Sequence, residues 1–501
     1  MSDQAANQQN QQSAEGPTQS PQATRIEHDS LGDVRVPVEA MWGAQTQRAV
    51  ENYPISGLHA HPALIRATML VKKAAALTNR DTGRLDTHLA DAIVTAADEV
   101  LGGKWRDQFV VDVYQAGAGT SHNMNANELL ANRANELLGG KRGENKPVHP
   151  NDHVNMAQST NDTFPTEMRV STLLMIEETL PAIERLSEAF AQKGREFDGI
   201  VKSGRTHLQD ATPIRLGQEF AAYALTLRRD ADRLRNCRNT LYELNIGGTA
   251  VGTGLNAEPA YIDGVVAQLG KLTGMPFRRA ESLVEIAPNM SSFVETSGAL
   301  RALATDLIKI ANDLRLLASG PRTGFFEIIL PAVQPGSSIM PGKVNPSMAE
   351  MLNMVCFQVL GNDTTVTFAA QAGQLELNVM MPVIIQNLLQ SFTILKNAME
   401  TFTDRCVVGI VANKERCEEY AFKSASLVTA LAPYIGYGPA AEIAHEQLSS
   451  GRDIRDIVRD RGLLSEHDLA IILDPKAMTE PGIAGQGRTE KPIIGQASSG
   501  G

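Results

Sequence analysis

Apolar residues recur at spacings of three and four through the middle third of the chain, which places one buried face on each of several long helices. Leu173, Ile176, Leu180, Ile183, Leu186 and Phe190 form the first stripe. Pro181 within it predicts a kink, because proline removes a backbone donor. A second stripe runs through Phe220, Ala224, Leu227, Ala231, Leu234, Leu241 and Leu244. The third, Phe293, Leu300, Leu303, Leu307, Ile310, Leu314 and Leu317, keeps a heptad-like rhythm and stops at Gly320-Pro321, a helix terminator. A fourth helix is expected after Pro382. Helices of this length cannot bury their stripes alone, so the expected architecture is a bundle of near-parallel long helices, which invites oligomerisation along its length.

The pattern changes on either side. Residues 24–150 mix short helices with Gly- and Asn-rich loops, and after about Val411 short amphipathic helices alternate with turns such as Gly436-Tyr437-Gly438-Pro439. No segment repeats at a fixed period, which sets aside solenoids and propellers. The expected organisation is mainly α: a disordered extension over 1–23, an N-terminal helical domain over 24–155, a central long-helix bundle over 156–410, a small C-terminal helical domain over 411–485 and a flexible tail over 486–501. The extension is rich in Gln, Ser, Ala and Pro and lacks the basic-then-apolar pattern of a signal peptide.

Composition narrows the function. The 501 residues are 43% hydrophobic and carry a formal charge of −11 without any basic block, which disfavours nucleic acid or an anionic membrane as partner. No apolar run reaches the roughly 20 residues of a membrane helix. Four cysteines, Cys237, Cys356, Cys406 and Cys417, form no Cys-x-x-Cys, so neither a disulfide framework nor a thiolate metal site is indicated, and a reducing cytoplasm is the expected setting.

Four polar segments lie between the helical stretches, where a rigid scaffold concentrates function. Gly117-Ala118-Gly119-Thr120-Ser121 and the following His122 to Glu128 combine backbone freedom with hydroxyl donors; the plainer reading is a loop capping a helix that begins near Asn125. His149-Pro150-Asn151-Asp152 leads to Gln158-Ser159-Thr160-Asn161-Asp162. The His149/His153 spacing suits metal ligands on a helix, but Pro150 and the lack of a third ligand argue for a turn. Ser159, Thr160 and Asn161 read either as an N-cap cluster or as neutral donors to a carboxylate. Gly204-Arg205-Thr206-His207-Leu208-Gln209-Asp210 places His207 among polar neighbours, where it serves as a structural residue or handles ligand and proton. The glycines of Gly248-Thr-Ala-Val-Gly252-Thr-Gly254 lack the preceding strand and following Gly-Lys-Ser/Thr of a nucleotide loop.

The fourth segment, Gly336 to Pro346, is the most specific. It holds adjacent hydroxyls at Ser337 and Ser338, stiffening prolines at 341 and 346, the cation of Lys343 and the amide of Asn345. That combination suits proton abstraction beside a carboxylate, whose enediolate product needs preorganised donors and a cation. A serine base needs its alkoxide stabilised in the same way, by backbone N–H groups and Lys343.

Taken together, in this order and over about 460 residues from Arg25 to Gly485, these segments resemble the aspartase and fumarase superfamily. The resemblance implies a three-domain, mostly α-helical subunit, a homotetramer with a shared helical core, and active sites that combine loops from three subunits. It implies a small dicarboxylate substrate and no required organic cofactor, although some aspartases are activated by divalent cations. On the matching positions, Ser337 resembles the general base, with Ser338 beside it on a loop that closes over substrate. Lys343 and Asn345 resemble residues that hold a substrate carboxylate, Thr120, Ser159, Thr160 and Asn161 match substrate-binding positions, and Thr206 and His207 match a substrate-contacting pair. His207 is often supported by an acidic residue in that family, and Glu219 lies too far from a recognisable motif to be given that role. Gly-Ala-Gly-Thr-Ser at 117–121 and Gln-Ser-Thr-Asn-Asp at 158–162 look like aspartases, where fumarases commonly show Gly-Ser-Gly-Thr and Gln-Ser-Ser-Asn-Asp. The stretch from Gln371 to Asn378 and the ending Met478 to Gly485 lean the same way. His149 to Asp152 and Met380-Met381-Pro382 look more like fumarases. Ammonia elimination from L-aspartate is therefore the first expectation, hydration of fumarate the alternative, and a non-catalytic structural homologue the remote one.

Overall fold

Helices dominate the computed structural model, which describes residues 23–495. The expected N-terminal extension before Ala23, and the chain end after Gly495, lie outside the described residues. The described residues fall into two compact units, each assembled from separate stretches of chain.

The first unit takes residues up to Met168, Leu244–Pro288 and Gln374–Pro382. It opens with an antiparallel hairpin, Thr24–Asp29 against Gly32–Pro37, in which Val34 and Val36 alternate inward. The helix Pro62–Asp81 starts with proline at its first position, and His61 Nδ1 accepts the Ala63 N–H at 3.1 Å. It packs against Thr87–Leu101 and Pro259–Thr273, and Thr87–Leu101 in turn against Thr120–Leu137. Ile65, Met69, Ile93, Ala97, Leu129 and Leu130 close a core between them. The helix expected near Asn125 begins earlier, at Thr120.

The second unit takes Arg169–Glu243, Asn289–Gly373 and the chain from Val383. Its long elements are most of Thr160–Glu196, then Leu216–Asn236, Ser291–Leu317, Ser347–Gln371 and most of Met381–Arg405. Every apolar residue of the 293–317 stripe is buried. The first stripe stays within one helix through Pro181. The second does not: its helix ends at Asn236, a separate turn covers Arg238–Leu241, and Leu244 falls in a short strand. Helix Ser347–Gln371 carries Asn353, Asn362 and Asp363 on its buried side, which hides it from an apolar-periodicity reading. Asp363 is paid for by Ser297 Oγ at 2.7 Å and Arg301 at 2.9 Å from the neighbouring helix. Near the chain end, Leu427, Leu431, Tyr434, Ile443, Ile457 and Ile472 form a core of their own. The stretch from 486 onward, expected to be free, is tied back as far as it is described: Asp468 accepts the N–H groups of Glu490 and Lys491, and Ile494 N–H bonds Pro433 O. Among the described residues no helix is long and apolar enough to cross a membrane.

Candidate active site

Thr120, Ser159, Thr160 and Asn161 belong to the first unit, at the starts of two helices. Thr120 is exposed at the head of Thr120–Leu137. The turn before it needs glycine at 119, where φ is +82° and a Cβ would collide with the Phe164 ring. Ser159 caps the next helix: its Oγ accepts the Asn161 N–H at 3.2 Å, and Asp162 reaches back to the Ser159 N–H at 2.9 Å. This is a reciprocal capping box, so the N-cap reading of the segment holds. It also leaves a helix N-terminus with hydroxyls around it, a setting that favours anions. Asp162, fully buried, accepts N–H groups from Gly247 and Thr249 through its other oxygen, and Asn161 Nδ2 donates to Ala250 O at 2.8 Å. The glycine-rich 248–254 stretch is thus a loop folded against this helix start.

His149 and His153 do not face each other as ligands. His149 Nδ1 accepts the Asp152 N–H at 3.2 Å and His153 Nδ1 accepts the His149 N–H at 2.9 Å, around a single π-helical turn at Pro150–Val154. Among the described residues no group of three or more His, Cys, Asp or Glu side chains is disposed to hold a metal ion.

Behind the Ser159 cap lies a buried charged cluster that apolar periodicity did not single out. Lys72 Nζ donates to Asn123, Asn155 and Gln158, and Asn123 Nδ2 donates to Thr160 Oγ1 at 3.1 Å. Thr68 Oγ1 joins His122 Nε2 at 2.8 Å to Glu167 Oε2 at 2.9 Å. Burial pulls the Lys72 ammonium down and pushes the Glu167 carboxyl up, and it holds the His122 imidazole at about 3, hence neutral. The available signal was a lysine four residues from Thr68 and Ala76, on a helix face otherwise closed to water.

The remaining positions belong to the second unit. Thr206 and His207 sit at the tip of the hairpin Val201–Thr206/Gln209–Arg215, exposed, with His207 and Leu208 both at positive φ, as a two-residue turn of the primed type requires. The first strand of the hairpin is braced by buried charge. Lys202 Nζ lies 3.1 Å from Glu219 and 3.2 Å from Glu327, and Arg205 lies 2.9 Å from Glu327 and over the Phe325 ring. Glu219 is therefore engaged by Lys202, and burial raises its carboxyl above the usual range.

In the Gly336 to Pro346 loop, Ser337 Oγ accepts the N–H groups of Ile339 at 3.3 Å and Met340 at 3.1 Å. Gly336 N–H donates to Lys343 O at 2.8 Å, and Asn345 Nδ2 donates to Gly336 O at 2.6 Å. A Cβ at 336 would strike the Lys343 carbonyl, which is why glycine stands there. The loop thus ties Asn345 to the carbonyl preceding Ser337 and leaves Ser338 and the Lys343 side chain exposed. Two amide donors on Ser337 Oγ favour negative charge on that oxygen, which is what a serine base needs.

A family model described as "Lyase" matches residues 32–361, and one described as "Fumarase C C-terminus" matches residues 427–480. The chain is 53% identical over 467 residues to an aspartate ammonia-lyase of Bacillus subtilis, covering 93% of this chain and 98% of that one. It is 50% identical over 460 residues to a class II fumarate hydratase of Methylorubrum extorquens, covering 91% and 97%. The solved structure of a fumarate lyase:delta crystallin from Brucella melitensis bound to cobalt covers 92% of this chain and 100% of that one, with 51% identity and a TM-score of 0.89.

Proposed function

The chain belongs to the aspartase and fumarase superfamily of lyases, and from that premise we propose that it is an aspartate ammonia-lyase, eliminating ammonia from L-aspartate to give fumarate. The observation that carries the proton-abstraction half of this reading is Ser337 Oγ under two backbone N–H groups. In the proposed reaction Ser337 takes a proton from Cβ, the adjacent carboxylate becomes an enediolate, and ammonia departs from Cα on the opposite face. Lys343 and Asn345 meet the developing charge, and Thr120, Ser159, Thr160 and Asn161 supply neutral donors and a helix N-terminus to hold carboxylate. Thr206 and His207 contact substrate from a hairpin tip whose first strand is fixed by the Lys202 and Arg205 pairs with Glu327. Base, donors and cation all come from the chain, so the reading requires no organic cofactor.

Ammonia rather than water as leaving group is supported by the Gln158-Ser159-Thr160-Asn161 form of the binding segment and by the identity to aspartate ammonia-lyases. Class II fumarate hydratase is the second reading, favoured by His149 to Asp152 and by a relative of that name at 50% identity. A homotetramer with shared active sites is part of the proposal. It is supported by Met354, Phe357 and Phe368, which stand more than half exposed along Ser347–Gln371. Four buried, unpaired thiols suit a reducing cytoplasm. The test is fumarate absorbance with pure protein and either L-aspartate or L-malate. Turnover of aspartate with little of malate is expected; rapid turnover of malate with none of aspartate would replace the first reading by the second.

A further inference from the structure

Lys72, on helix Pro62–Asp81, has no exposed surface. Its ammonium has three protons and the structure gives it three acceptors: Asn123 Oδ1 at 2.6 Å, Gln158 Oε1 at 2.9 Å and Asn155 Oδ1 at 3.1 Å. Lysine cannot accept a hydrogen bond, so the Asn123 amide must turn its oxygen toward Lys72 and its nitrogen away. That nitrogen donates to Thr160 Oγ1 at 3.1 Å and Asn155 Oδ1 at 3.2 Å. A hydroxyl that accepts from an amide on one side keeps its own proton for the other. With the amide reversed, Thr160 would spend its proton on Asn123 and turn lone pairs toward an incoming carboxylate.

We propose that Lys72 and Asn123 are positioning residues that fix the Thr160 hydroxyl as a hydrogen-bond donor to a substrate carboxylate; this rests on the dicarboxylate reading above. Each link is set by the one before it: a buried cation orients an amide, the amide orients a hydroxyl, and the hydroxyl faces the ligand. The charge on Lys72 is opposed by burial and supported by the carboxylates of Glu167 and Asp162 on helix Thr160–Glu196. From helix Thr120–Leu137 it faces His122, which burial keeps neutral. A cation costs heavily in such a site unless its protons are all engaged, and here they are.

The experiment is a double-mutant cycle on Asn123 and Thr160, read by calorimetric binding of succinate, a four-carbon dicarboxylate that cannot undergo elimination. Asn123→Asp keeps the acceptor for Lys72 and replaces the donor by a second acceptor, inverting the polarity at Thr160; binding is expected to weaken at least tenfold. Thr160→Val removes the hydroxyl and should cost a similar factor. In the Thr160→Val background, Asn123→Asp should add less than threefold, because there is no hydroxyl left to orient. A purely structural role for Asn123 would give the same loss in both backgrounds. Asn123→Ala enters the same cycle should the aspartate variant not fold, with an expected three- to fivefold loss. Succinate binding by Asn123→Asp or Thr160→Val within twofold of the unaltered protein would overturn the proposal, as would equal losses in the two backgrounds. Failure of the unaltered protein to bind succinate and to form fumarate from aspartate or malate would instead sink the dicarboxylate reading.

Discussion

At Ser337 the decisive feature is local. Its Oγ is held by the N–H groups two and three residues ahead, so an oxygen that ordinarily resists ionisation sits where negative charge is favoured. Ser337→Ala leaves those two amides without a partner in an exposed loop, which water can satisfy, and is expected to lower kcat by about 10²–10⁴-fold, the range of a general base. Steady-state kinetics beside thermal unfolding would check this, and retained turnover in a folded variant would remove the base assignment. The candidates Ser337, Lys343 and Asn345 can be named from the sequence because their chemistry is packed into eleven consecutive residues from Gly336 to Pro346. Lys72 cannot, and Asn123 stands out only as one member of the polar run from His122 to Glu128. They meet 51 positions apart, and nothing in the local order of Val71-Lys72-Lys73 says which lysine turns inward. The same holds for Arg205 and Glu327, separated by 122 positions.

Among the elements, those whose buried face keeps a regular apolar stripe could be read in advance. Ser291–Leu317 is the clear case, with the stripe residues from Phe293 to Leu317 buried and Gly320 at positive φ after its end. Ser347–Gln371 could not, because Asn353, Asn362 and Asp363 interrupt its apolar side and find partners on other helices. Helix starts carry their own predictions. Gly119→Ala forces an L side chain into the left-handed region and against Phe164, and should destabilise by about 2–4 kcal/mol in chemical denaturation. Helices Thr87–Leu101 and Thr120–Leu137 are joined by Arg133, whose Nε and a terminal nitrogen lie 2.7 and 2.9 Å from the two oxygens of Glu99. Hydrogen bonding to Arg133 holds the Glu99 carboxyl at about 2, below its ordinary 4.5. The unfolded chain therefore takes up this proton first as pH falls, and the stability contributed above about 4.5 is lost toward 2. Glu99→Gln should make the acid limb of stability shallower over that window. An unchanged slope would show that this pair contributes nothing to acid unfolding.

For the whole molecule, the sequence conveyed the class of fold and the kind of chemistry more readily than the grouping of its parts. Each of the two units gathers stretches far apart in the chain, such as Leu244–Pro288 and Gln374–Pro382 with the N-terminal residues, and no shift in composition marks those returns. The exposed Met354, Phe357 and Phe368 belong to this scale, since a large apolar strip on one helix is costly unless another chain covers it. Light scattering is expected to give a mass four times the 54.0 kDa of the chain. Replacing Met354 and Phe357 by Glu should yield smaller species, whereas an unaltered protein that is monomeric at working concentration would remove the shared active site from the proposal. Proton transfer at Cβ and loss of ammonia from Cα belong to one proposed reaction, and one measurement reaches both. Fumarate incubated with ammonium in D2O and followed by proton NMR should give aspartate carrying a single deuterium at Cβ, in one diastereomer, because addition retraces the anti elimination. Formation of malate in place of aspartate, or deuterium spread over both diastereomers, would contradict it.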